Sequence, residues 1–220
     1  MKILTTNNLL TFLYSLFFNI KYLPFKYAMR VPILISPKVK IERLCRGGIV
    51  FEYEPKYGDI RIGLNASRGY ITKMSYLSIS RDGRLTFRGR VKLSAGISIR
   101  IDKGNLTFGA KTFVNGNCMF RCTKSIILGD ELLVGWNVNF STDDGHYIIE
   151  NNKIKLKEKD INVGRHVWIA SDTKIAKGVK ISNDSVVAQN SLVTSQFFES
   201  NILIAGIPAK IVKNNINWKK

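Results

Sequence analysis

Val163-Gly164-Arg165-His166-Val167-Trp168-Ile169-Ala170-Ser171-Asp172-Thr173-Lys174-Ile175-Ala176-Lys177-Gly178-Val179-Lys180-Ile181-Ser182 is the stretch that decides the fold. Every sixth residue is aliphatic: Val163, Ile169, Ile175 and Ile181, continuing to Val187 and Val193. A small residue follows each of them, namely Gly164, Ala170, Ala176, Ser182, Ala188 and Thr194. A period of six fits neither an amphipathic helix nor a simple alternating strand. It fits short strands joined by tight corners, each strand sending one aliphatic side chain inward, and a fixed short period of this kind marks a solenoid. At roughly 3.3 Å per strand residue, a six-residue unit makes an edge of at most about 20 Å.

Working outward, the same register runs upstream through Leu128 and Val134, with Phe140 beside a break, then through Phe108, Val114 and Phe120, and through Phe87, Leu93 and Ile99. The blocks are offset by two or three residues, which reads as small bulges at coil corners. The pattern predicts parallel β coils over about 60–194, an inserted loop over 141–161, a capping segment over 1–59 and a C-terminal tail over 195–220.

The segments Val163–Ala170, Lys177-Gly178-Val179-Lys180-Ile181 and Ala205-Gly206-Ile207-Pro208-Ala209-Lys210, in that order, resemble the hexapeptide-repeat acyltransferases. The resemblance implies an all-β solenoid, a left-handed parallel β-helix of triangular section with an N-terminal helix. The left hand comes from the family alone. Parallel crossovers are ordinarily right-handed, so a right-handed β-helix is the structural alternative. Lys21-Tyr22-Leu23-Pro24-Phe25-Lys26, with Pro32 and Pro37, also looks like the N-terminal region of polysaccharide-modifying members.

Composition bounds the rest. The chain has 220 residues, is 45% hydrophobic and carries a formal charge of +18. That suits one soluble, mostly β, cytosolic domain with affinity for an acidic glycan, an anionic membrane surface or coenzyme phosphates. No nucleic-acid-binding motif accompanies the dispersed basic residues. Cys45, Cys118 and Cys122 give an odd count, which points to a reducing compartment, and Cys118 and Cys122 read as buried coil residues because nearby third and fourth metal ligands are missing. Residues Ile3 to Ile20 lack charge. They read as an amphipathic helix capped by Asn7 or Asn8 that covers the open end of the coil, with peripheral contact at the inner face of the membrane and a true membrane span as the alternatives.

Chemistry is expected where the repeat breaks. Ser141-Thr142-Asp143-Asp144-Gly145-His146 opens the insertion, and excursions from rigid scaffolds commonly carry function. An imidazole titrates near neutral pH, so His146 suits a general base, with Asp143 or Asp144 orienting its second ring nitrogen or binding sugar hydroxyls. The position matches the catalytic histidine of the sugar O-acetyltransferases. His166 lies within the repeat and reads as structural.

The resemblance also implies a donor site for acetyl-CoA in a groove between subunits of a homotrimer. Trp168 would wall it, the Ser171 backbone N–H would face the developing oxyanion, Ala188 and Gln189 would meet pantetheine, and Lys210 and Lys213 would lie near the nucleotide phosphates. Ser195 stands where many relatives have lysine. The expected activity is transfer of acetyl to a sugar hydroxyl of a capsule or lipopolysaccharide, with no metal. The alternatives are N-acetylation of an amino-sugar nucleotide and a non-enzymatic basic solenoid that binds acidic glycan or membrane. Two histidines exclude a hexapeptide-repeat carbonic anhydrase, which needs three as ligands.

Overall fold

The computed structural model describes residues 6–64, 72–155 and 157–219. Two helices, α1 (Thr6–Tyr22) and α2 (Phe25–Ala28), precede three parallel sheets of nine, seven and seven strands. The chain visits the first, second and third face in turn, and the faces enclose one core as a left-handed parallel β-helix. In the late coils one turn takes eighteen residues, three hexapeptides: Trp168 pairs with Val186 and Ile169 with Val187.

The sequence register becomes three internal ladders. Leu93, Val114, Val134, Ile169 and Val187 stack on the first face. Ile99, Phe120, Phe140, Ile175 and Val193 stack on the second. Phe87, Phe108, Leu128, Val163, Ile181 and Phe197 stack on the third. All are buried, and each full burial contributes on the order of 1.5–3 kcal/mol. Aromatic rungs lie face to face, Phe120 over Phe140 at 4.8 Å and 8°.

Three residues beyond each register aliphatic the backbone turns left-handed: Asn137 after Val134, His166 after Val163, Asp172 after Ile169, Gly178 after Ile175, Asp184 after Ile181 and Asn190 after Val187. Glycine, Asn and Asp predominate because they tolerate that conformation best.

Two expectations need correction. The offsets between register blocks are not corner bulges. The strands Ser98–Ile101 with Gly104–Phe108, and Met119–Cys122 with Ser125–Leu128, run longer and add inward-facing Ile101, Leu106, Cys122 and Ile126. The coils also extend past both expected boundaries. Ile33–Ile35, Val39–Arg43 and Ile49–Phe51 already head the three sheets, pairing with Ile60–Ile62, Ser75–Ile79 and Gly83–Phe87. At the far end Gln196–Phe197 and Leu203–Gly206 extend the third and first faces, and Ala209–Lys213 folds back antiparallel after a cis Ile207–Pro208 bond.

The helix α1 covers the open end, seated on the first strand. Buried Ser15 and Asn19, one helical turn apart, extend the hydrogen-bond ladder with their side chains. Asn19 Nδ2 donates to the Ile33 carbonyl at 2.7 Å and its Oδ1 accepts from the Ile33 N–H at 3.2 Å, while Ser15 Oγ accepts from the Ile35 N–H at 3.0 Å. An otherwise open sheet edge is thereby closed. The side chains of the expected caps Asn7 and Asn8 lie outside the described residues. Among the described residues no helix is long and apolar enough to cross a membrane.

Candidate active site

The insertion leaves the scaffold at the corner between the second and third faces. Its stem is closed by Asp144 N–H to the Lys157 carbonyl at 3.3 Å and Lys159 N–H to the Thr142 carbonyl at 2.9 Å. Beyond the stem, Ile149–Glu150 and Lys153–Ile154 form an antiparallel hairpin turned by Asn151 and Asn152, both at positive φ. The chain rejoins the third face at Ile161–Val163, with Leu128 against Val163 as though nothing had intervened.

Of the two carboxylates expected to orient His146, neither is hydrogen-bonded to it among the described residues. Asp143 is buried. Its Oδ1 accepts from the Gly145 N–H at 2.6 Å, and Arg121 Nε stands 3.0 Å from its Oδ2. Asp144 forms an ion pair with Lys177, whose ammonium also donates to the Lys157 carbonyl at 3.3 Å. Both acids therefore act on the loop: one fixes the turn that presents His146, and the other ties that turn to the coil above. The His146 side chain is exposed.

Arg121 and Lys177 were missed in the sequence because each lies a coil away along the chain. The coil map exposes them: Arg121 pairs with Ser141, and Lys177 follows Ile175, the neighbour of Phe140. A groove of about 450 Å³ beside the loop is lined by Asp144, Ile148, Lys155, Lys159 and Lys177.

The residues expected to bind the donor gather at a different corner, between the first and second faces. Here Gly135–Asn137, Ala170–Asp172 and Ala188–Asn190 stack, joined by Trp136 N–H to Ser171 Oγ at 3.0 Å, Ala170 N–H to the Val187 carbonyl at 2.9 Å and Asn190 N–H to the Ser171 carbonyl at 3.1 Å. The Ser171 N–H has no acceptor among the described residues. Ala188 gives its N–H to the Ile204 carbonyl and takes the Thr173 hydroxyl, and Gln189 is exposed. A groove of about 600 Å³ runs along this corner, walled by Asn137, Asp172, Lys174, Asn190, Leu192 and Ile207.

Trp168 projects exposed from the first face, its ring 6.1 Å from Trp218. Lys210 and Lys213 are exposed on the returning strand. Side chains three apart on a strand normally face opposite ways, but the register slips by one residue opposite Leu203/Ile204 and returns Lys213 to the side of Lys210.

In one chain, then, the expected base and the expected oxyanion donor occupy two corners. Six residues, one edge of up to about 20 Å, separate Ser171 from Lys177, which holds the His146 turn. A single chain does not bring them together.

His166 has a structural setting. Its Nδ1 is 2.9 Å from Asp184 Oδ1, its ring stacks on Trp218 at 4.2 Å and 7°, and Trp218 Nε1 donates to its carbonyl at 3.0 Å. This set pins the C-terminal segment. Cys118 and Cys122 are buried in the core, where desolvation pushes their thiols up to about 12. Among the described residues no group of three or more His, Cys, Asp or Glu is placed to hold a metal.

No protein-family model matches the chain. It is 29% identical over 199 residues to an uncharacterized 24.8 kDa protein in the cps region of Klebsiella pneumoniae, covering 90% of this chain and 86% of that one. It is 28% identical over 149 residues to the putative lipopolysaccharide biosynthesis O-acetyl transferase WbbJ of Escherichia coli, covering 61% and 74%. Among solved structures, the polysialic-acid-specific acetyltransferase NeuO superposes with a TM-score of 0.57 at 21% identity, over 86% of this chain and 74% of that one. A hexapeptide-repeat acetyltransferase of Vibrio cholerae, solved with acetyl coenzyme A, superposes with a TM-score of 0.51 at 24% identity, over 60% and 72%. At these identities the structural likeness establishes the fold.

Proposed function

We propose that this chain, a hexapeptide-repeat acetyltransferase by its coils and its relatives, transfers acetyl from acetyl-CoA to a hydroxyl of a sugar in a cell-surface polysaccharide. The observation that carries this reading is the excursion between Ser141 and Ile161: a stem fixed by Asp143–Arg121 and Asp144–Lys177 that holds an exposed His146 out from the scaffold. His146 takes the proton of the acceptor hydroxyl as its oxygen attacks the thioester carbonyl. The Ser171 N–H receives the oxyanion, the C–S bond breaks, and the imidazolium returns the proton to the departing thiolate. No bond between acetyl and protein is required.

The acetyl-CoA reading is supported by the groove beside Ser171, Ala188 and Gln189 and by Lys210 and Lys213 above it, where cations offset phosphate charge. A homotrimer in which His146 of one subunit meets the Ser171 corner of the next is supported by the separation of the two corners. It is supported too by Tyr147, Ile148, Ile149 and Ile154, large apolar side chains that the hairpin leaves exposed in a single chain. The formal charge of +18 favours an acidic glycan such as a capsule or lipopolysaccharide chain.

The test is His146→Ala. Turnover with acetyl-CoA and the envelope glycan is expected to fall about 100- to 10,000-fold, the scale of general-base catalysis. Acetyl-CoA affinity and the oligomer should be unchanged. Near-normal transfer by the variant would return the base to Asp143, Asp144 or His166.

A further inference from the structure

Outside the site, α1 carries an exposed apolar stripe: Leu9, Leu10, Leu13, Phe17 and Ile20. Seen down its axis, successive residues turn by roughly 100°, so Leu10, Leu13, Phe17 and Ile20 lie roughly 140–160° round from Ser15. Ser15 and Asn19 are locked to the first strand by the hydrogen bonds described above, with Phe18 buried against the core beside them. The helix therefore has no freedom to roll its apolar face inward. Leu10 and Phe17 are each 58% exposed, and Phe25, in α2, extends the stripe at 78%.

Cations outnumber acids around this face. The first 41 residues contain six Lys or Arg and no Asp or Glu. Lys21 lies at the end of the stripe with its ammonium 5.5 Å from the Phe17 ring, and Lys26 follows in α2. Arg46 donates to the Ile20 and Lys21 carbonyls, adding a cation at the C-terminal end of the helix.

We infer that this face of α1 docks on an anionic lipid surface. An apolar stripe fixed outward and rimmed mainly by cations, with Glu54 the acid that reaches Lys26 at 3.7 Å, matches a helix lying in the plane of a membrane interface: Leu and Phe enter the acyl boundary while Lys and Arg meet lipid phosphates. The charge complementarity selects this occupant over a second copy of the chain, since pairing two such faces would bring like charges together. The docked solenoid would stand end-on, with its catalytic corners lateral to the surface. This inference is independent of the acetyl-transfer reading.

The experiment is cosedimentation of the full chain with vesicles of neutral phosphatidylcholine alone or mixed with anionic phosphatidylglycerol, for wild type and for Leu13→Gln/Phe17→Gln. Both side chains point to solvent, so the variant should keep the wild-type unfolding midpoint, which is measured alongside. Wild type is expected to sediment with anionic vesicles and poorly with neutral ones, and to be released as salt rises. The variant should bind anionic vesicles at least about tenfold more weakly. Equal binding by variant and wild type would assign the effect to the bulk charge of +18 and overturn the docking face. Absence of binding to either vesicle would overturn it as well. So would self-association of the wild type, abolished by the same substitutions and unaccompanied by vesicle binding, because a second copy would then own the face.

Discussion

On the third face the strand Ile161–Val163 has two neighbours that reach it by different routes. Val163 pairs with Ile181, eighteen residues on, by one regular coil. It also pairs with Leu128, thirty-five residues back, across the whole insertion. The rungs are equivalent, so the extra chain contributes nothing to the ladder. The coil closes over its excursion, and residues in the excursion are released from packing. In Val163–Val193 the period dictates which side chain is inside. In 142–160 the chain keeps a stem and a hairpin and leaves His146, Tyr147, Ile149 and Ile154 to solvent. The comparison separates a region whose sequence is constrained by stacking from one free to carry chemistry.

The sharpest way to break that contrast is to place the same charge in both regions. Ile175→Asp, or Val187→Asp, buries an unpaired carboxylate in the ladder and is expected to cost several kcal/mol and abolish cooperative unfolding. Ile149→Asp, on the exposed hairpin, should leave the circular dichroism spectrum and a cooperative transition of the chain intact, its effect falling on assembly of the proposed trimer instead. Folded, cooperative Ile175→Asp and Val187→Asp proteins would contradict the inward register.

A finer comparison uses two glycines with nearly equal backbone angles. Gly104 has φ +81° and a Cβ there would sit 1.5 Å from the Lys124 carbonyl oxygen of the next coil, whereas at Gly145, φ +80°, nothing lies within 4 Å. Gly104→Ala should cost about 2–4 kcal/mol, strain plus overpacking, against about 1 kcal/mol for Gly145→Ala. Similar midpoints of denaturant unfolding for the two variants would mean that coil stacking is looser than the register implies.

The same division explains what could be read in advance. The ladders were legible because one inward residue in six survives in any coil of regular length. The coils before residue 60 were not: Ile35 and Ile41 lie six apart on the first and second faces, but Phe51 on the third follows only after ten, so the period breaks before it can repeat. The offsets near Ile101 and Cys122 looked like bulges because two added inward residues shift a period as an inserted corner residue would. At the loop, the break and His146 were visible, but the partners of its carboxylates were not. Arg121 and Lys177 become neighbours of Asp143 and Asp144 only after the coils are stacked. Trp218, which pins the C-terminal segment through His166, lies outside the repeat and carried no periodic signal.

The smallest expected effect concerns the edge of the scaffold, where the regular coils give way to the returning strand. Lys210 and Lys213 are solvent-exposed, so their contribution to a phosphate is screened and amounts to no more than about 1 kcal/mol each. If the one-residue register slip sets both on one side of Ala209–Lys213 to receive the nucleotide, Lys210→Ala/Lys213→Ala should weaken acetyl-CoA by roughly 3- to 30-fold. A donor lacking the 3′-phosphate should be weakened less. The wild-type preference for the phosphorylated donor should shrink as salt rises, because exposed charges more than about 10 Å apart are largely screened near 0.1 M. Titrating both donors at two salt concentrations separates the possibilities. An equal loss for both would make these lysines part of the general positive surface, and the phosphate contact would then have to come from the corner groove itself, where Lys174 is the one cation among the lining residues.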